Sequence, residues 1–444
     1  MSDLLGIGAT GIRAYSRALS AVSDNIANSQ TPGYARRSVR LEEAPGGGDV
    51  ALYRNAILPG GVLVDGINRS VDQWLVDDAR TAGSDAGQSD VRLGWLQATE
   101  RAIDDGPSGV GQNVTKLFNN ADQLASDPNN EALRSSFLQS VDDVASSFRR
   151  TASQLASVAN GISADAVIKT EALNTSINAL KRVNDGLQAS RDGSTNQAGL
   201  LDERDQLLDR IAASIPVGVE YNAKGAATLQ VDGPGSEILL SGNNVTSISS
   251  VVAGDGTISY QLSPGSAFAA PSGELAGLSQ SASHVAAQRS ELDSLANQFV
   301  ADLNGAHQAG QDVGGNAGVA LLVLPAGATS MVAIAIVPSG VAAADASSSN
   351  GNMLALSGLR GANGTEAGWA NMVALQSQAV SSARAQDSAA TSRQDGANAA
   401  RDDVSGIDLD REAADLLRFQ QAYQGAARVL QVARENMQTI LNSL

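Results

Sequence analysis

The chain has no cysteine, only two histidines and very few aromatic residues, which make up 3% of its 444 positions. Without cysteine there are no disulfides, thiolate nucleophiles or zinc–thiolate sites. The histidines, His284 and His307, sit in neither an H-E-x-x-H nor an E-x-x-H pattern and read as structural residues. Basic side chains are also scarce: 30 Lys and Arg face 47 Asp and Glu, a net charge of −17. Duplex nucleic acid and anionic membrane surfaces need clustered cations, so neither is expected as a partner. No apolar run approaches the ~20 residues that span a bilayer. The first eight residues, Met1-Ser-Asp-Leu-Leu-Gly-Ile-Gly8, lack the basic and apolar regions of a cleaved secretory signal. The expectation is a cytosolic protein or one exported without a cleaved signal.

What remains is aliphatic, with cores of Ala, Val, Leu and Ile that suit closely packed helices. Helical periodicity runs over residues 3–28, then from Val71 to about Ser214, interrupted by turn signals at Asp104-Asp-Gly-Pro107 and Asp127-Pro128. Short β-prone pieces fall at Ala35–Leu41, Val50–Tyr53 and Gly61–Val64, separated by Gly46-Gly-Gly48 and Pro59-Gly-Gly61. The period changes at Pro216. Val217–Tyr221, Thr228–Val231, Glu237–Leu240, Val245–Val252 and Thr257–Leu262 read as strands, with Asp232-Gly-Pro-Gly235 among the turns between them. Helix returns at Leu275–Ala306 and from Trp369 to about Asn398; Asp408 is placed to cap a last helix, with Glu412 in its first turns.

The fold class is therefore mainly α with an inserted β domain (α+β). The expected organisation has three parts. Residues 1–33 and 405–444 form paired terminal helices as a coiled coil. Residues 34–214, 275–309 and 363–404 form a long-helix domain with a small hairpin region, and 215–274 with 310–362 form a small outer β domain.

No motif specifies catalysis, a cofactor or a metal. Gly6-Ile-Gly-Ala-Thr-Gly11 matches a dinucleotide fingerprint in letters, but five preceding residues leave no room for its strand. Small residues on a close-packed helix are the better reading. Adjacent carboxylates at Asp77-Asp78, Asp104-Asp105, Asp142-Asp143 and Asp402-Asp403 point apart on a helix and read as solvated faces. Gln311-Asp-Val-Gly-Gly-Asn316 lacks the alternating acids of a calcium loop.

The chain ends carry the strongest pattern. A 4-3 repeat runs through Leu409, Ala413, Leu416, Gln420, Tyr423, Ala427, Leu430, Arg434, Met437, Leu441 and Leu444; a matching series is Leu5, Gly8, Ile12, Tyr15, Leu19, Val22 and Ile26. Two terminal seams with no interior element to cover them point to assembly. The apolar members of both series, Leu5 to Ile26 and Leu409 to Leu441, are the candidate assembly interface. Gln420 and Arg434 read as register-setting breaks in the seam.

Ala21-Val-Ser-Asp-Asn-Ile-Ala-Asn-Ser-Gln-Thr-Pro-Gly-Tyr-Ala-Arg36 resembles the N-terminal signature of the flagellar axial proteins, the rod, hook and hook-associated proteins. Ser405-Gly-Ile-Asp-Leu-Asp-Arg-Glu-Ala-Ala-Asp-Leu-Leu-Arg-Phe-Gln-Gln-Ala-Tyr423 resembles their C-terminal signature. Two internal segments, Leu200-Leu-Asp-Glu-Arg-Asp-Gln-Leu-Leu208 and Leu292–His307, resemble the hook-associated protein 1 family, which forms the first hook–filament junction. The resemblance implies a structural subunit whose terminal helices pair as an inner layer beneath a helical domain and a projecting β domain. It implies as partners further copies of the chain, the hook protein, a second hook-associated junction protein and a cytoplasmic export chaperone covering the C-terminal helix. It also implies an extracellular place in the flagellum, reached by type III export. Two alternatives remain: a hook or rod component, and, from another class, a secreted flagellum-associated peptidoglycan hydrolase.

Overall fold

The computed structural model describes residues 2–44, 60–103, 106–231 and 237–443. The pieces read from sequence at Gly46–Gly48, Val50–Tyr53, Asp104-Asp105 and Asp232–Gly235, and Leu444 of the seam, lie outside these residues.

Helix α1 (Ser2–Ala27) leads into an antiparallel hairpin of β1 (Arg37–Ala44) and β2 (Gly61–Arg69). Four helices follow: α2 (Gln73–Ala102), α3 (Val110–Ser126), α4 (Glu131–Ala189) and α5 (Thr195–Ser214). Local chemistry sets their starts. The Asn130 side chain accepts from the amides of Ala132 and Leu133, at 3.0 and 3.2 Å, to cap α4. Ser194 accepts from the Gln197 amide at 3.1 Å to cap α5, which begins five residues earlier than its apolar pattern indicated. Next come β3 (Val217–Tyr221), β4 (Ala227–Val231), β5 (Ile238–Ser241) and β6 (Asn244–Val245) in one antiparallel sheet. A second sheet contains β7 (Ile248–Val252), β8 (Ile258–Leu262) and β9 (Ser266–Phe268). After α6 (Gly273–Ala309), a mostly irregular stretch holds the two-residue strands β10 (Leu322–Val323) and β11 (Val332–Ala333) and the short helix α7 (Gly351–Ala355). Helices α8 (Thr365–Ser405) and α9 (Leu409–Ser443) complete the fold.

The chain divides into two compact units. The first comprises residues 1–84, 173–247 and 391–444; the second comprises 85–172 and 248–390. This partition cuts across the expected three-part organisation: the residues expected to form one long-helix domain fall in both units, with 34–84, 173–214 and 391–404 in the first. The strands after Pro216 do not make one outer domain with 310–362. Strands β3–β6 belong to the first unit and β7–β9 to the second, because the expected run Val245–Val252 breaks between β6 and β7.

Residues 310–362 also serve a different purpose from the one expected. Their scattered apolar side chains Leu321, Leu322, Met331, Val341, Met353 and Leu356 join the core of the second unit, against Phe137, Phe148, Phe299 and Trp369. Phe148 stacks on Phe299 at 6.0 Å. His307 holds this irregular chain in place. It is fully buried, with Nδ1 donating to the Val319 carbonyl at 2.6 Å and Nε2 accepting from the Ala342 amide at 2.9 Å. Regular strands were unnecessary here because these side-chain and backbone bonds satisfy the buried polar groups.

Candidate assembly interface

In the first unit, three of the four signature segments converge on one buried polar site at the base of α1 and α9. After α1 the chain turns through Asn28–Arg36, with Gly33 at φ +75°, a left-handed conformation that favours glycine. Gln206 of α5 clasps this turn by donating to the Pro32 carbonyl at 2.8 Å. Asn25, fully buried on the last turn of α1, uses all four of its hydrogen-bonding positions. Its Oδ1 accepts from the Arg37 amide at 2.9 Å and the Tyr34 hydroxyl at 3.0 Å. Its Nδ2 donates to the Arg37 carbonyl at 2.8 Å and to Glu412 Oε2 at 3.0 Å. Burial pushes the Tyr34 phenol up to about 12, so it stays a neutral donor.

Charge pairs extend from this hub. Arg36 binds Glu412 at 2.6 Å and Asp415 at 3.2 Å, and its amide donates to the Ser405 carbonyl at 2.8 Å. Arg37 and Arg69 both reach Asp202, at 2.6 and 2.8 Å. Asp205 also meets Arg69 at 2.8 Å and Arg204 at 2.6 Å. Arg80 and Arg401 meet Asp209 at 2.9 and 3.2 Å. Burial raises the Asp205 carboxyl, but Arg204, Arg69 and Arg80 outweigh it and hold the group below its usual range. The site therefore stays ionised, and removing either partner would strand a buried charge. Asp202 and Asp205 come from the Leu200–Leu208 signature, Asn25 and Arg36 from the first, and Glu412 and Asp415 from the last. The signatures had shown a family likeness without showing that their polar residues meet.

Above this base, α1 and α9 pack antiparallel: Gly8 lies opposite Leu430, Gly11 opposite Ala426, and the Tyr15 ring 6.5 Å from Phe419. A Cβ on Gly8 or Gly11 would sit 3.2 or 3.1 Å from the facing helix, so small residues permit the approach. The reading of Gly6–Gly11 as close-packed helix residues agrees with this geometry.

The intrachain seam keeps Gly8, Val22 and Leu430 of the expected series and elsewhere falls one residue to its N-terminal side. On α1 the buried line is Gly8, Gly11, Ala14, Ala18, Ala21 and Asn25, with Val22 beside it. Leu5, Ile12, Tyr15 and Leu19 are half-buried on its flank, and Ile26 is exposed. On α9 the inward line is Glu412, Asp415, Phe419, Ala422, Ala426 and Ala433. Leu416, Ala427 and Leu430 are half-buried, whereas Leu409, Ala413, Tyr423, Met437 and Leu441 are exposed. Gln420 and Arg434 are also exposed and do not interrupt the intrachain seam; Phe419 and Ala433 occupy it instead. The shift has a physical cause. Helix α1 is covered by the β1–β2 hairpin as well as by α9, so its most buried line falls between two partners. An element interior to the chain thus covers part of a seam expected to lack one.

The exposed members leave the helix pair with a large unsatisfied apolar surface. Leu4 and Ile7 on α1 and Leu417, Tyr423, Val429, Val432, Met437, Ile440 and Leu441 on α9 are each at least 37% exposed. Isolated apolar residues are ordinary on a surface; so many on one helix pair are not. Next to the base, Ser29–Ala35, Asp402 and Ser405–Ile407 line a cleft of about 460 Å³. Among the described residues no cluster of three or more His, Asp or Glu side chains is arranged to hold a metal ion.

A helical body, a hydrogen-bonded hub joining the two chain ends and an exposed terminal helix pair are features of a structural protein. The family model described as "Flagellar hook-associated protein FlgK helical domain" matches residues 96–322, and the chain belongs to that family. The model "Flagellar basal body rod FlgEFG protein C-terminal" matches residues 403–444. Flagellar hook-associated protein 1 of Bacillus subtilis is 24% identical, over 98% of this chain and 96% of that protein. The protein of the same name from Salmonella typhimurium is 24% identical over 72% of this chain and 59% of its own length. A solved structure titled as the flagellar hook junction protein FlgK from Burkholderia pseudomallei has 17% identity and a TM-score of 0.51, covering 56% of this chain and 47% of that one. It shows the likeness of fold. The chain is thus a hook-associated structural component of the bacterial flagellum.

Proposed function

We propose that the chain is a subunit of the ring joining hook to filament, and that it assembles through its terminal helices. The observation that carries this reading is the α1–α9 pair, fixed at its base by Asn25, Arg36 and Glu412 yet apolar on its outer faces. A helix pair whose outer faces remain apolar is completed by contacts with other chains. The names of the relatives support a place beside the hook. On this reading the partners are further copies, the hook protein and a second junction protein. A cytoplasmic chaperone shields α9 before export, because an exposed apolar helix otherwise associates early.

The rod or hook alternative is less consistent with long helices filling the second unit. The hydrolase alternative finds no support in the cleft. A glycosidase needs a carboxyl with a raised pKa as its general acid, whereas Asp205 is held low and Asp209 is engaged by two arginines. The test is a chain lacking residues 405–444, expressed in place of the intact protein. Hook–filament junctions that do not form, with filament subunits lost to the medium, support the reading. Normal filaments on the truncated protein refute it.

A further inference from the structure

Helices α2 and α6 meet closely at Gly277, where a Cβ would lie 2.6 Å from the Gln88 carbonyl oxygen. In the turns that follow, a cavity of about 430 Å³ opens in the second unit between Arg92 and Leu96 of α2 and Ser279, Gln280, Ser283 and His284 of α6. That volume suits a small molecule. No Asp or Glu stands among the described residues lining it, in a chain with 47 acids against 30 Lys and Arg. Its titratable side chains are a guanidinium and an imidazole. Arg92 makes no ion pair among the described residues; its Nη1 donates to the neutral Gln386 Oε1 at 2.8 Å.

His284 is oriented from behind. Gln376 of α8 is buried, and its Nε2 donates to the Leu96 carbonyl at 2.8 Å. That bond turns Gln376 Oε1 toward His284 Nε2, 2.7 Å away, so Nε2 carries a hydrogen and donates it. Nδ1 has no partner among the described residues, whereas both ring nitrogens of His307 are engaged. A protonated His284 therefore satisfies Gln376 with one N–H and offers the other to an anion. The serines present the opposite polarity. Ser279 and Ser283 donate their hydroxyl hydrogens to the Ile258 and Ser279 carbonyls, each at 2.9 Å, which leaves oxygen lone pairs to accept.

We propose that this cavity binds a small hydroxylated anion of the sugar-acid or sugar-phosphate class. Its acid group meets Arg92 and His284, and its hydroxyls donate to Ser279 and Ser283. Both features are needed to match the walls. A simple inorganic anion uses the cationic side and leaves the serine acceptors unmatched. A neutral sugar leaves Arg92 without a counter-charge. Gln376 acts as a positioning residue, holding the imidazole with Nδ1 available.

The scarcity of histidine makes the test direct. With only His284 and His307 in the chain, histidine-selective isotope labelling gives an NMR spectrum of two imidazoles, assigned with His284→Gln. The full-length protein is titrated separately with glucuronate, glucose-6-phosphate, glucose and inorganic phosphate. The expected result is a saturable shift of the His284 signal with glucuronate or glucose-6-phosphate, half-complete at a lower concentration than with inorganic phosphate. Glucose should leave it in place, and the buried His307 signal should not move with any of the four. The tighter of the two acid sugars tells a carboxylate ligand from a phosphate one. Arg92→Gln should raise the half-saturation concentration by about tenfold or more. Ser279→Ala with Ser283→Ala should weaken the acid sugars while sparing inorganic phosphate. A His307 signal at its wild-type position shows that the second unit is intact in each variant. The proposal is overturned by a wild-type His284 signal that responds to neither acid sugar, or that responds equally to inorganic phosphate or to glucose. Undiminished binding by Arg92→Gln also overturns it.

Discussion

Asn25 and Glu412 are separated by almost the whole chain, yet each is fully buried against the other. Neither was recognisable from sequence as a site residue. Asn25 lies one position from the expected seam, and Glu412 looked like an ordinary acid in the first turns of a helix. Asp408 was the legible residue of that segment, and it does cap α9, accepting from the Asp410 amide at 2.9 Å. The difference is physical: capping depends on neighbours in sequence, whereas burial of Glu412 depends on Arg36 and Asn25 arriving from the other end. Arg36→Ala is expected to leave Glu412 uncompensated, at a cost of about 3–5 kcal/mol. Asn25→Ala leaves the Arg37 amide and the Tyr34 hydroxyl unpaired, on the order of 2–4 kcal/mol. Both losses fall on the joint between α1, the hairpin and α9, so hydrogen exchange should show α9 losing protection from Glu412 onward in either variant. Unchanged exchange there would mean that the hub does not hold the helix.

At the scale of elements, the length and kind of most helices were legible because apolar periodicity is a local property. α4, with 59 residues, and α9 followed their patterns closely. The exact facing of α1 and α9 was not legible, since a broad apolar stripe fits more than one line of contact and the hairpin chose between them. That choice makes opposite predictions for adjacent residues. Phe419→Ala, which removes the ring beside Tyr15, should lower the stability of the helix pair by on the order of 1–3 kcal/mol, whereas Gln420→Ala should leave it unchanged within about 0.5 kcal/mol. Gly11→Leu should be worse tolerated than either, because a side chain there meets Ala426 and must separate the helices. Thermal unfolding followed by circular dichroism, with exchange mapping of residues 8–20, ranks the three. Equal effects of Phe419→Ala and Gln420→Ala would restore the seam first read from the sequence.

For the whole molecule, acid should act on the two units in separate windows. In the second unit His307 is fully buried, and burial lowers its pKa below the ordinary 6.5, the Val319 carbonyl opposing weakly. Its neutral form is required, because protonated Nε2 cannot accept from the Ala342 amide. The unfolded chain thus binds a proton more readily than the folded one, and the stabilisation, complete above pH 6.5, is lost as pH falls through the folded value. In the first unit the governing group is Asp205, whose arginines hold it below the ordinary 3.8 despite burial. Its contribution is complete above about that pH and is lost only as pH falls through a still lower value. Between these windows, near pH 5, exchange protection of the Phe137–Phe299 core should have weakened while that of the Asn25–Glu412 base persists. His307→Gln should destabilise the second unit at neutral pH yet flatten its response between pH 7 and 5. The result that contradicts this account is simultaneous loss of both units in the wild-type chain, or an unaltered pH response in His307→Gln.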